Sequence, residues 1–200
     1  MIGLGHGRTL SAAVDHLPRF EAKGVDFGSL PGGLTRNYAA NPHDVMHSSV
    51  HKAGSNAYVL PIPFFAGSES DRAILLAQPG AREIFDLSSR ATLKLVGMGT
   101  VTRGAQLVAT GMIEPHEIAE IHAGGAVAEM MDHFFDESGC ILETTLSART
   151  LSVDLSGTGN EGIVVIAGGA EKAQAIRAVL NSGRLTGLMT DEATARKLVA

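Results

Sequence analysis

Near its start the chain reads GLGHGRTL, residues 3–10: a glycine-rich turn that runs into an arginine and a threonine. Glycine lets a backbone come close to an oxyanion, and a helix that begins at such a turn offers free N–H groups and a partial positive charge. The stretch fits an anion cradle or a plain tight turn. Arg8 and Thr9 both donate to oxyanions, which favours a phosphate at this turn, with His6 inside it as a candidate ligand-facing donor. A dinucleotide fingerprint fails, because Arg8 stands three residues after Gly5 and Leu10 three after Gly7. Asp26 falls at the wrong end of the next apolar run to take a ribose hydroxyl, and no Walker sequence occurs.

Four further turns share this character: PGG at 31–33, GMGT at 97–100, AGG at 167–169 and TDE at 190–192. They add Gly32, Gly33, Gly97, Gly99 and Asp191 as candidate ligand positions. Several such turns meeting in one crevice suit a small, hydroxyl-rich anion. Lys172 lies beside an apolar helix face, so it either snorkels or places a cation, conceivably a Schiff-base amine, at the crevice. Asp191 either sits in the first turn of the last helix or accepts hydrogen bonds from sugar hydroxyls. Glu129, in AVAEMM, reads from local pattern alone as a solvated glutamate.

No catalytic set assembles. Cys140 follows Gly139 in an apparent hairpin turn without a neighbouring base, and Ser147 and Ser156 lack a nucleophile-elbow context. His43, His47 and His51 recur every four residues but flank the apolar face of their helix, and no HExxH pattern accompanies them. A partly solvated stripe is expected there, with no metal and no cofactor.

Positioning these turns requires strands that end where the glycines begin. Short apolar runs at 2–4, 25–30, 57–65, 92–98, 162–167 and 185–189 read as strands. Helical periodicity follows most of them, in stretches near 8–17, 43–53, 72–78, 81–90, 114–122, 171–181 and 191–199. The alternation predicts an α/β domain, an open and mostly parallel sheet with helices on both faces, whose ligands bind beyond the carboxyl ends of the strands. Around CILETTL and RTLSVDL the pattern changes, which predicts a small β insertion over 134–153, packed on one edge as a flap. No linker or repeat divides the chain, so residues 1–200 read as one domain.

Composition agrees. At 44% hydrophobic and 18% charged residues the chain is globular, and its net charge of −5 provides no basic stripe for nucleic acid. A single cysteine excludes an internal disulfide, no signal peptide is expected from the opening residues, and no membrane-length apolar run occurs. A cytoplasmic location is expected.

Taken in order, GLGHGRTLSAAV, LPGGLTRN, NPHDV, YVLPIPFF, LKLVGMGT, GAVAEMMDHFFD and VVIAGGAEKAQAIRAVLNSGRLTGLMTDEATA resemble the sugar-binding effector domain of SorC/DeoR-type bacterial transcriptional regulators. The resemblance covers essentially the whole chain, and 166–195 is its most specific part. It implies a fold like ribose-5-phosphate isomerase and glucosamine-6-phosphate deaminase, binding a phosphorylated sugar or polyol without turnover. It also implies phosphate contacts from Gly5, Arg8 and Thr9, and effector contacts from Glu129 and Lys172. Gly32, Gly33, Gly97, Gly99 and Asp191 would line the same crevice. Assembly as a homo-dimer or tetramer would follow, with DNA reached only through a helix-turn-helix absent from this chain.

Two residues depart from the family's habit: Glu129 stands where Asp is frequent, and His6 where an aromatic such as Trp is common. The missing helix-turn-helix, and the strand and helix that follow it in relatives, suggest a truncated product or a displaced gene start, with a sheet edge left bare to favour oligomers. An isomerase- or aldolase-like enzyme using Glu129 or Lys172, and a degenerate partner that only dimerises, are the competing readings.

Overall fold

A computed structural model describes residues 1–102, 104–155 and 162–200. Ser156 therefore lies outside the described residues. The first half runs β1 (Ile2–Leu4), α1 (Arg8–His16), β2 (Phe27–Ser29), α2 (Met46–Ala53), β3 (Ala57–Tyr58), α3 (Glu69–Ala77) and α4 (Pro79–Ser89). Next come β4 (Leu93–Val96), β5 (Gly99–Thr100), α5 (Gln106–Ala109), α6 (Pro115–Ala123), β6 (Ala128–Met130) and β7 (His133–Phe135). The chain closes with β8 (Gly162–Ile166), α7 (Ala173–Asn181), β9 (Gly187–Met189) and α8 (Glu192–Val199).

Six strands form a sheet in the order β3-β2-β1-β4-β8-β9, with parallel pairing throughout. Side-chain alternation sorts its two faces. Leu4 and Phe27 point one way and pack with Leu10 and Val14 of α1 and with Met46 and Ala53 of α2. Val96, Ile163 and Val165 point the other way, against Ala175, Ile176 and Val179 of α7. Helix α4 joins them on this second face, and glycine makes room for it. A Cβ on Gly28 would stand 2.5 Å from Ser88 Oγ. Helices thus cover both faces, as the βα alternation predicts.

The small β unit differs from expectation. It is a three-stranded antiparallel sheet, β5-β6-β7, drawn from 99–100, 128–130 and 133–135, and of the predicted 134–153 insertion only Phe134 and Phe135 belong to it. CILETTL and RTLSVDL instead make isolated bridges (Phe135 with Ile141, Phe65 with Thr150, Pro31 with Ser152) around a 3-10 turn at Ser147–Arg149. Ser147 explains part of this: its hydroxyl and backbone exchange hydrogen bonds with Thr144, a local closure that competes with strand pairing. The unit is no edge flap either, for Ala128, Met130, Met131 and Phe135 are built into the α7-facing core.

Two other boundaries move. The strand read at 57–65 ends at Tyr58, because Pro61 and Pro63 lack the N–H a ladder needs; Pro63 and Phe65 contribute single bridges. Helix α2 begins at Met46, after Asn41 and Asp44 close the preceding turns by accepting from the His43 and Met46 N–H groups. His43 is consequently a loop residue, and the three histidines do not form one helical stripe.

Candidate functional site

The carboxyl ends of β1 and β4, the neighbouring strands at the sheet's centre, open into a cleft of about 830 Å³ of empty space continuous with solvent. Gly5, His6, Arg8, Thr9, Gly97, Gly99, Glu129 and Lys172 line it, together with Thr100, Gln106, Ile118 and Met131. Eight of the eleven candidates read from the sequence therefore share one cavity. Gly32, Gly33 and Asp191 do not line it. Gly32 is pressed against the Pro63 carbonyl, where a Cβ would come within 2.1 Å. Asp191 caps α8: its carboxylate accepts from the Thr194 N–H (2.8 Å), the Thr194 hydroxyl (2.7 Å) and the Gly169 N–H (3.0 Å). Those donors hold its carboxyl at about 2, well below the usual range.

The two central glycine turns are first a packing device. A Cβ at Gly97 would meet the His6 carbonyl at 2.6 Å, and one at Gly5 would meet Val96 at 3.3 Å. Only glycine lets the loops after β1 and β4 run this close. Gly7 serves another purpose, since at φ 125° it turns the chain into α1. The first helical bond runs from the Ser11 N–H to the Gly7 carbonyl, so the N–H groups of Arg8, Thr9 and Leu10 have no acceptor within the helix. No side chain caps this end.

Opposite lies the β6–β7 hairpin. Met130 pairs with His133, leaving a two-residue turn of Met131 (φ 51°) and Asp132 (φ 62°), both buried. Such a turn normally takes Asn-Gly or Asp-Gly, so here non-glycine residues are held at positive φ by their surroundings. The Met131 carbonyl accepts from Ser152 Oγ (2.9 Å) and His133 Nδ1 (2.7 Å), and the Asp132 N–H donates to Glu129 Oε1 (2.8 Å).

This hairpin brings charge to the cleft floor. Asp132 is fully buried, and neither carboxylate oxygen has a hydrogen-bond partner. Its Oδ1 stands 3.7 Å from His6 Nε2, within ion-pair range but too long for a direct hydrogen bond. The His6 ring packs edge-on against Phe64, centroids 4.4 Å apart. Burial opposes protonation of His6, yet Asp132, Glu129 and Asp44 outweigh it and hold the imidazole above its ordinary value. Burial and the Asp132 charge push Glu129 up to about 7, against the pull of His6, the Asp132 N–H and Lys172. Lys172, half-buried in the 3-10 turn before α7, is lowered by burial and by Arg8. The cleft thus has cations and free helical N–H groups at its mouth, and an imidazole beside a carboxyl group near neutrality at its floor.

Asp132 and Met131 are absent from the candidates that the sequence singles out. The dipeptide Met-Asp gives no turn signal, and its burial depends on Thr150 and Ser152 some twenty residues downstream. Thr100 and Gln106 fall outside the candidate set as well, although GMGT, which ends at Thr100, is among the turns with ligand-facing character.

Residues 1–200 match the family model Sugar-bind, described as "Putative sugar-binding domain". The chain is 55% identical, over 199 residues, to the erythritol catabolism regulatory protein EryD of Brucella abortus, covering 100% of this chain and 63% of that protein. It is 28% identical to the transcriptional regulator LsrR of an Enterobacter species, covering 100% of this chain and 61% of the other. The chain thus spans about three-fifths of the length of these curated relatives. Among solved structures, a domain of a possible sugar-binding transcriptional regulator from Arthrobacter aurescens superposes with a TM-score of 0.87 at 24% identity, covering 100% of this chain and 78% of that one. The full-length sorbitol operon regulator SorC from Klebsiella pneumoniae gives 0.86 at 22%, covering 100% and 66%. At such identities these two likenesses speak for the fold alone.

Proposed function

The chain belongs to the Sugar-bind family of sugar-binding domains, and on that premise we propose that it senses a phosphorylated sugar or polyol for a transcriptional regulator of carbohydrate use. The observation that carries this is the uncapped N-terminus of α1 opening into the same cleft as Arg8, Lys172, His6 and Glu129. A phosphate at that helix end would take the free N–H groups, and Arg8 and Lys172 would add charge-assisted bonds. The hydroxylated remainder would extend towards Glu129, whose carboxyl, near neutrality, can accept from or donate to a hydroxyl. Gly97 and Gly99 would form the wall; Gly32, Gly33 and Asp191 would support neighbouring turns instead of touching effector.

The 55% identity to a regulator named for erythritol catabolism puts a four-carbon polyol, or its phosphate ester, first among candidates. DNA recognition would be supplied by sequence beyond this chain, in a homo-dimer or tetramer within the cytoplasm. The effector would act by stabilising one subunit arrangement through differential affinity. No helix among the described residues is long and apolar enough to cross a membrane.

A thermal-shift screen of erythritol, an erythritol phosphate, ribose 5-phosphate, deoxyribose 5-phosphate and glucosamine 6-phosphate tests this. At a hundred times Kd a ligand adds about 2.7 kcal/mol. For a domain of this size that raises Tm by about 5–10 °C. No shift with any of them removes the sensor reading. Glu129 near neutrality and the lowered amine of Lys172 also favour a second reading, proton transfer or Schiff-base chemistry on a sugar phosphate. Sustained conversion of a bound sugar, followed by proton NMR, would establish that one instead.

A further inference from the structure

Asp132 stands apart from these roles. It contacts no solvent, lies outside the lining of the cleft, and sits in a turn where its backbone must adopt φ 62°. Glycine would take that conformation without cost and leave no buried charge. An aspartate there is doubly unfavourable unless its carboxylate is used. Its two oxygens lack hydrogen-bond partners, and the ionisable group its carboxylate meets at ion-pair range is His6, which does line the cleft.

We propose that Asp132 is a positioning residue: it locks the His6 imidazole, through Nε2, into one orientation in which the ring presents Nδ1–H to an oxygen at the inner end of the bound effector. The inference rests on the cleft being the effector site. The arrangement resembles the carboxylate-behind-imidazole pair, held here by charge at 3.7 Å instead of by a direct hydrogen bond; the rear carboxylate orients the ring and favours its protonated form. Three features prevent the ring from choosing freely. Phe64 holds it edge-on, the hairpin turn is tied down at the Met131 carbonyl by Ser152 and His133, and Glu129 binds the Asp132 N–H. The effector class follows: a short, hydroxylated chain with an anionic group at the α1 end and an oxygen, hydroxyl or carbonyl, at the His6 end. Other charges facing the ring are Glu129 from the hairpin, and Asp44 and His43 from the loop before α2; Arg8 faces His43 and Lys172, and Lys172 faces Glu129.

The test uses the full chain with labelled histidine. In wild type and in Asp132→Asn the His6 ring nitrogens are followed by NMR against pH, and binding of erythritol and of an erythritol phosphate is measured by calorimetry. Asn keeps the shape and tolerates positive φ, and Asp132→Gly serves as a second variant that fits the turn whatever happens to Asn. The expected result has three parts: His6 titrates at lower pH in both variants, effector affinity falls tenfold or more with its pH dependence flattened, and neither variant melts below wild type. An unchanged His6 titration overturns the proposal. So does a shifted titration with unchanged affinity, and that outcome leaves the effector cleft itself standing. A drop in Tm with His6 unmoved assigns Asp132 a purely structural role, again overturning it. Wild type that binds neither probe, nor any sugar phosphate of the screen above, removes the reading of the cleft and this inference with it.

Discussion

Glu129→Gln should change how folding stability depends on pH. In the folded chain burial and the neighbouring Asp132 charge raise the Glu129 carboxyl from an ordinary 4.5 to about 7. An acid raised on folding is destabilising once ionised, so stability is highest below the unfolded value and falls as pH climbs through the folded one. The gap of about 2.5 pH units, at about 1.36 kcal/mol per unit, sets a ceiling of about 3 kcal/mol lost by pH 8. His6 runs the same way: raised by Asp132, Glu129 and Asp44 against burial, it gives stability that is complete below its unfolded value and disappears as pH rises through its folded one. His43, lowered by burial, Arg8 and His6, runs oppositely, and it is a partly exposed loop residue where solvent weakens the effect. The sum is a protein less stable at pH 8 than at pH 5.5. Glu129→Gln is neutral and isosteric and keeps an oxygen for the Asp132 N–H. It should match wild type near pH 5 and exceed it by about 1–3 kcal/mol at pH 8. Urea melts followed by circular dichroism at half-unit intervals would show this. Parallel stability curves for the two proteins, or a wild type that gains stability between pH 5.5 and 8, would refute the electrostatic account of the cleft floor.

Other consequences are simpler to read. Arg8→Ala and Lys172→Ala should each weaken a phosphorylated polyol by about 10- to 100-fold, the value of one charge-assisted hydrogen bond, while leaving urea melts almost unchanged; calorimetry that finds equal affinities would exclude a phosphate at α1. Gly97→Ala drives a methyl to 2.6 Å from the His6 carbonyl, which should cost about 1–3 kcal/mol and distort the cleft, seen as a joint loss of Tm and affinity. Glu117 is buried, accepts from the Glu114 N–H (2.8 Å) and pairs with Arg36 and Arg149. Burial opposes its ionisation, but the Glu114 N–H and the two arginines win, so its carboxyl lies below the ordinary 4.5. Glu117→Ala should therefore cost about 3 kcal/mol at pH 7, a difference that shrinks as pH falls below 4.5 through the folded value. Asp191→Ala removes the α8 cap and should lower Tm slightly with effector affinity held within twofold; a large affinity loss would return Asp191 to the site.

Much of the frame is legible in the sequence because it rests on local rules. Apolar runs that stop at glycine, followed by 3.6-residue periodicity, dictate parallel strands with helices between them, and the glycine turns mark the carboxyl ends where the cleft opens. Eight candidates meet in one cleft for that reason. The misses share a cause too. The second sheet draws β5 and β6 from segments nearly thirty residues apart, and nothing in Gly99–Thr100 announces a two-residue strand. Asp132 looks in sequence like one acidic residue among many, because its burial is a property of the assembled hairpin. Asp191 lies next to a glycine turn in space, as expected, but turns its carboxylate to the helix start.

The join between the two sheets has a mechanical meaning. Strand β4 ends at Val96 and β5 begins at Gly99, so two residues connect the centre of the large sheet to the small one. Gly99 is in register with Glu129. Two residues of chain span at most about 7 Å and contain no slack to absorb a shift. On the proposed reading, an effector that drew Glu129 inward would draw on Gly99 as well, and through it on β4 instead of on a long loop. The proposed effector cleft is thus joined in series with β4, at the centre of the large sheet, with only Gly97 and Met98 between the two sheets.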